Sequence, residues 1–283
     1  MDPGRKAQDD VEGLMADQTK IAIAGALGFM GRELIKLIDA ADDLKLVGGA
    51  DRPDSSDIGQ DLGPLIGLRP QGAPLCVSAF EAAQGADVLI DFSIGKAAAQ
   101  AATALAGKGV SLVIGATGFE PEHEAAIADA AKTTAIVKSG NMSLGVNLLA
   151  ALTRKAAARL GEDWDIEIFE AHHRRKVDAP SGTALLLGRA AAEGRQVDLT
   201  EKKVAARDGQ TGARRPGDIG FAVVRGGGIV GDHDVSFITD EESITLSHHA
   251  SNRAIFAKGA LAAARWVKGK QAGLYSMADV LGL

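Results

Sequence analysis

The chain has 283 residues, enough for one large domain or two ordinary ones with separate cores. An apolar share of 46% and a charged share of 24% exclude a disordered chain, and a net charge of −6 argues against a nucleic-acid partner held through phosphates. The single cysteine, Cys76, excludes an internal disulfide and any cysteine-built metal site.

Residues 1–19 carry Asp9, Asp10, Glu12 and Asp17 and lack the basic start and apolar middle of a signal peptide. They are expected to form a disordered acidic tail. No apolar run approaches the roughly 20 residues that span a bilayer, so a cytoplasmic protein without a membrane partner is expected. From residue 20, short aliphatic runs alternate with stretches of helical spacing. Strands are expected at 21–24, 44–50, 75–77, 87–90, 111–114 and 135–137, and helices at 28–41, 96–106 and 121–131. Residues 59–74, rich in Gly and Pro, form a loop. Aromatics are only 4%, so the core is built from Ala, Leu, Ile and Val, which suits helices on a parallel sheet. The alternation predicts an α/β fold beginning with a Rossmann-type, doubly wound parallel sheet.

The pattern changes near Ser143. A long helix (146–160), a strand (165–170) and a second helix (183–192) precede strands at 219–225, 229–238 and 243–249. Turns at 226–228 and 240–242 are short, which favours antiparallel or mixed pairing. A second, α+β domain is expected over 143–251. The Ala-rich helix near 253–268 opens a C-terminal stretch, 252–283, expected to pack back on the first domain.

Gly25-Ala26-Leu27-Gly28-Phe29-Met30-Gly31 joins the first strand to the first helix. Glycine permits a tight turn there, and free amides at the helix start face an anion such as a dinucleotide phosphate. The spacing is GxxGxxG, and taken alone it fits a plain strand–helix turn equally well. Asp51 closes the second strand, where an acid accepts hydrogen bonds from an adenosine ribose. Its neighbour Arg52 suits a 2′-phosphate, so NADH and NADPH both remain open. Asp91-Phe92-Ser93, Gly115-Ala116-Thr117-Gly118 and Ser139-Gly140-Asn141-Met142 follow later strands and would border the same ligand. Residues 20–142 are therefore expected to be a dinucleotide-binding domain.

Five consecutive basic or titratable side chains, His172-His173-Arg174-Arg175-Lys176, follow Glu170-Ala171 in an acidic protein. Histidine exchanges a proton near neutrality, and a lysine among cations gives its proton up more readily. Pro180-Ser181-Gly182-Thr183 then opens a helix whose hydroxyls and amides suit a carboxylate. A solvated basic loop with an ordinary N-cap, or an RNA contact, is the plainer alternative. The histidine doublet beside an anion cradle favours a proton donor acting on a small acid. His233, between Asp232 and Asp234, is a turn residue or a metal ligand. His248-His249 sit at a strand end and His123 lies early in a helix. No HxxH spacing occurs, so no metal is expected. Cys76 suits core packing better than nucleophilic attack.

These segments together resemble the 4-hydroxy-tetrahydrodipicolinate reductase (dihydrodipicolinate reductase) family from about residue 21 to 283. The resemblance is carried by IAIAGALGFMG, GATGF, GNMSLGVN, IGFAVVRGGGIVGDHDVSF, Ser251-Asn252-Arg253 and, most specifically, EAHHRRKVDAPSGTA. It implies hydride transfer from NADH or NADPH to a small cyclic dicarboxylate, with loss of water, in lysine and diaminopimelate biosynthesis. On the matching positions, His172 would be the catalytic proton donor or acceptor and Lys176 a catalytic proton donor. His173, Ser181, Gly182 and Thr183 would bind substrate. Gly25, Ala26, Leu27, Gly28, Phe29, Met30, Asp51, Arg52, Gly115, Ala116, Thr117, Ser139, Gly140, Asn141 and Met142 would hold the cofactor. The resemblance also implies a homotetramer built through the second domain. Phe29 stands where many members carry Arg. Another NAD(P)-dependent dehydrogenase of amino-acid metabolism, or a non-catalytic dinucleotide sensor, is the alternative.

Overall fold

The structure is a computed structural model and describes residues 18–283. One compact unit runs to Gly140 and regains Ala260–Ser276; the other holds Asn141–Gly259 and Met277–Leu283. In the first unit, β1 (Thr19–Ala24), α1 (Phe29–Asp39), β2 (Leu44–Ala50), α2 (Leu62–Leu65), β3 (Leu75–Cys76) and α3 (Ala79–Ala82) come first. Then follow β4 (Val88–Asp91), α4 (Gly95–Leu105), β5 (Ser111–Ile114), α5 (Pro121–Ala130) and β6 (Ala135–Lys138). The second unit adds α6 (Leu144–Arg159), β7 (Asp165–His172), α7 (Gly182–Arg195), α8 (Leu199–Lys202), β8 (Lys203–Val204), β9 (Ile219–Arg225), β10 (Gly231–Ile238) and β11 (Ser243–Ala250). Helix α9 (Ala254–Val267), β12 (Gly273–Tyr275) and α10 (Met277–Leu281) end the chain.

The first sheet has the order β12-β6-β5-β4-β1-β2-β3, with every pair parallel. Its strands are buried on both faces, as aliphatic runs require: Ile21, Ala22, Ile23, Leu89, Ile90, Leu112 and Val113 are all fully enclosed. Winding in both directions from β1 places the carboxyl ends of β1 and β4 side by side, where such sheets bind ligands.

Several elements and boundaries differ from expectation, among them α2, which lies inside the stretch 59–74 expected to be loop. β1 already begins at Thr19, whose amide donates to the Asp43 carbonyl. The expected acidic tail otherwise falls on residues 1–17, outside the described residues. β12 is an unexpected edge strand beside β6, with Leu274 opposite Ile136. Of the C-terminal stretch, only Ala260–Ser276 joins the first unit, whereas α10 belongs to the second and packs on α6.

The second sheet has the order β11-β10-β7-β9-β8. It is mixed, since β10 runs antiparallel to β7 and β11 while β7, β9 and β8 are parallel. Ile166, Ile168, Ile219, Phe221, Val235 and Phe237 form a fully apolar layer with Leu149, Leu187 and Ala191 of α6 and α7. Phe169 and Val224, on the opposite face, are exposed. No helix among the described residues is long and apolar enough to cross a membrane.

Candidate active site

After β1 the chain turns through Gly25 at φ +76°, a left-handed conformation that strains other residues. A Cβ at Gly31 would overlap the carbonyl oxygens of Gly25 and Ala26, so α1 rests directly on the turn. Gly28 caps α1 with extended backbone and without a side-chain bond, and no acid occupies the first helical turn. The helix dipole there is unopposed, which suits a phosphate. The Asp51 carboxylate accepts the Leu27 amide at 2.9 Å through Oδ2 and the Arg52 amide at 2.9 Å through Oδ1. It therefore braces the turn, and each oxygen keeps a lone pair for a ribose hydroxyl. The tight turn, the bare helix start and the acid at the end of β2 fit a dinucleotide.

The strand ends meet on two further glycines. A Cβ on Gly25 would lie 3.0 Å from the Phe92 carbonyl oxygen, and one on Gly115 would overlap the Phe92 ring. Asp91 is buried and accepts the Ser93 amide and hydroxyl at 2.8 and 2.6 Å, all on Oδ1. Burial pushes its carboxyl up despite those bonds. Ala26 and Ala116 have buried side chains, so they offer a ligand backbone atoms, while Phe29, Arg52 and Thr117 are exposed. Ser139 and Gly140 follow β6, with the Ser139 amide on the Ile114 carbonyl.

On β7, residues 166, 168, 170 and 172 share the side that faces the helices. The first two are isoleucines in the core; Glu170 and His172 occupy the same register where the sheet meets the start of α7. Glu170 is 0% exposed and accepts four bonds. They come from His172 Nδ1 at 2.6 Å, the Ser181 amide at 2.9 Å, and Arg225 Nη1 and Nη2, both at 2.8 Å. Burial alone would raise its pKa; Arg225, His172 and Ser181 outweigh that and hold the carboxyl below the usual glutamate range. An ionised carboxylate only accepts, so the His172 proton facing it sits on Nδ1 and Nε2 is left for a substrate. A Cβ on Gly231 would stand 3.1 Å from that Nε2, so glycine there keeps the atom uncrowded.

His233, opposite Glu170 on β10, sets its ring edge against His172 with centroids 5.1 Å apart. It is neither a turn residue nor placed in a metal site: it is buried, with Nε2 3.1 Å from Ser181 Oγ, and no metal-holding group of His, Cys, Asp or Glu occurs among the described residues. Burial, then the nearby His172, lowers its pKa to about 4. Ser181 Oγ also caps α7 by accepting the Ala184 amide at 3.1 Å. Ser181 is thus committed to holding the turn. The amides of Gly182 and Thr183 meet no protein acceptor among the described residues, and Gly182 is exposed. Thr183 Oγ1 accepts Asn141 Nδ2 at 3.0 Å, so Asn141 braces the start of α7. Met142 beside it is buried, its carbonyl lying where a Cβ on Gly259 would fall.

His173 lies just past the end of β7, and its Nε2 lies 3.0 Å from Arg253. A guanidinium only donates, so this histidine carries its proton on Nδ1. Desolvation, then Arg175 and Arg253, keep its pKa below the usual histidine value. Lys176 pairs with Asp178 at 2.8 and 2.9 Å, while its charge, with those of Arg175 and Arg253, also bears on His173. Arg174 and Arg175 are exposed. Glu170, Arg225 and Arg253 were not singled out as site residues from the sequence. The detectable signal for Glu170 was a charged residue in the core-facing register of Ile166 and Ile168.

Two family models match the chain: "Dihydrodipicolinate reductase, N-terminus" over residues 19–142 and "Dihydrodipicolinate reductase, C-terminus" over 145–281. The 4-hydroxy-tetrahydrodipicolinate reductase of Parvibaculum lavamentivorans is 56% identical over 270 residues, covering 95% of this chain and 100% of that protein. The protein of the same name from Afipia carboxidovorans is 51% identical, covering 93% and 97%. A solved dipicolinate-bound dihydrodipicolinate reductase from Paenisporosarcina sp. TG-14 superposes with a TM-score of 0.74 over 92% of this chain and 97% of that one. At 23% identity, this is a likeness of fold.

Proposed function

The chain belongs to the dihydrodipicolinate reductase family, and on that premise we propose how its residues carry the reaction. The enzyme reduces 4-hydroxy-tetrahydrodipicolinate to tetrahydrodipicolinate with NADH or NADPH, releasing water, as a step of lysine and diaminopimelate biosynthesis. The balance is one hydride and one proton in, one water out. The observation behind the residue assignment is a histidine locked by a buried carboxylate beside a helix start with open amides.

The Gly25–Met30 turn and the start of α1 hold the cofactor phosphates, Asp51 and Arg52 meet the adenosine ribose, and Gly115, Ala116, Thr117 and 139–142 border the rest. Bound there, the reduced nicotinamide supplies the hydride. One substrate carboxylate is held by the Gly182 and Thr183 amides and by His173 Nδ1–H, while Ser181 keeps that turn in shape. His172 delivers the proton from Nε2 as the imidazolium, returning to the neutral ring whose remaining proton stays on Nδ1 against Glu170, and Lys176 is the second donor. A homotetramer formed through the open face of the second sheet, where Phe169 and Val224 are exposed, and a cytoplasmic location complete the proposal.

The test is loss of nicotinamide absorbance with each cofactor, the substrate being generated by a coupled synthase. Oxidation should require the cyclic dicarboxylate, and His172→Gln should lower kcat by about 10²–10⁴-fold with cofactor affinity unchanged. Near-normal turnover in a folded His172→Gln protein would remove the proton-donor role. Faster oxidation with an amino-acid semialdehyde or imine would move the activity to another dehydrogenase.

A further inference from the structure

We propose that Glu170 is a positioning residue for the reduction: a single buried carboxylate that ties the proton-donating His172 to the turn holding the substrate carboxylate. This rests on the site assignment above and adds a residue to it. Glu170 reaches His172 through Oε2 and the Ser181 amide through Oε1, so its two oxygens bridge the donor and the cradle. Arg225 grips both oxygens and fixes the plane of the carboxylate. The same guanidinium donates to the Asp178 carbonyl at 2.7 Å, which anchors the exposed 173–180 segment close to the cradle.

Two consequences follow from this bridge. The tautomer of His172 is set, because an acceptor at Nδ1 forces the proton there and leaves Nε2 to the substrate. The separation between His172 and the Gly182 and Thr183 amides is also set, since both hang on one side chain with no exposure to water. A carboxylate needed only to neutralise Arg225 would leave the histidine free to turn.

Glu170→Gln keeps the shape and replaces one oxygen with a donor. In either orientation that donor faces an Arg225 nitrogen, which also donates, together with the Ser181 amide at one position or His172 Nδ1 at the other. The variant should lose kcat by about 100-fold, within the range for misplaced general acids, while NADH affinity stays within about twofold of wild type. His172→Gln/Glu170→Gln should lose less than the product of the two single losses. Histidine ¹⁵N spectra of the free wild-type enzyme should show His172 with a proton on Nδ1, and those of Glu170→Gln, whose amide nitrogen can replace either oxygen, should show that preference weakened. Glu170→Asp, which keeps the charge, should recover part of the lost kcat.

A folded Glu170→Gln protein with kcat within about threefold of wild type would overturn the proposal. So would a wild-type His172 with no proton on Nδ1, a measurement that needs no variant to fold. If His172→Gln itself were near normal, the underlying assignment would fall. Loss in His172→Gln without loss in Glu170→Gln would sink the positioning role alone.

Discussion

Protonation of His233 should destabilise the second unit in mildly acidic solution. The ring is 3% exposed on β10, edge-on to His172, opposite Glu170, with Asp232 and His248 the other nearby titratable groups. Burial, followed by His172, takes its pKa to about 4 from 6.5. The unfolded chain therefore takes up the proton first. The stabilisation from a neutral ring is complete above about pH 6.5 and is lost as pH falls toward 4. A difference of about 2.5 units at 1.36 kcal/mol each amounts to about 3 kcal/mol, of which about 2 is gone by pH 5. The perturbation is His233→Asn, which removes the titration and retains a polar partner for Ser181. Urea unfolding, followed by Trp164 fluorescence in a Trp266→Phe background, is measured between about pH 7.5 and 5. Wild type should lose about 2 kcal/mol more than the variant over that interval. Glu167 and Glu170, held low by arginines, are lost only under more acidic conditions and are common to both proteins. Parallel curves across the interval would refute the reasoning.

Two further outcomes follow from the first unit. Gly31→Ala puts a Cβ into the carbonyls of Gly25 and Ala26, so it should cost about 1–3 kcal/mol in urea unfolding and weaken NADH binding about tenfold or more by fluorescence titration. Asp51→Ala strips the Leu27 amide of its acceptor and removes the ribose partner; kcat/KM with NADH should fall about tenfold further than with NADPH.

Much of the first unit was legible because strands buried on both faces read as aliphatic runs and each run ends at a glycine or a small residue. The misses were elements too short for periodicity to show. β12 has three residues, Gly-Leu-Tyr, and exists only because β6 offers an edge. β8 has two residues, beside β9. The start of β1 at Thr19 depends on the Asp43 carbonyl, a partner that no local pattern reveals.

In the second unit the sequence displays His172 to Lys176 as one cationic cluster, and the structure takes the cluster apart. His172 is the last residue of β7 and His173 the first beyond it, so the neighbours take different partners. His172 is claimed by Glu170, His173 by Arg253 and Lys176 by Asp178, with Arg174 and Arg175 exposed. Those partners lie from two to eighty residues away, which explains why composition showed the charges and concealed their assignment. Arg225, which holds Glu170, is 55 residues from it in sequence and joins it only through the pairing of β7 with β9. A charge left unpaired beside the cradle would bind any anion. Amides and one neutral imidazole bind a carboxylate at a particular place and angle, because hydrogen bonds are directional where bare charge is not. If the amides and His173 hold the dicarboxylate as proposed, directional bonds fix its orientation, and orientation is what a proton delivered from one ring nitrogen requires.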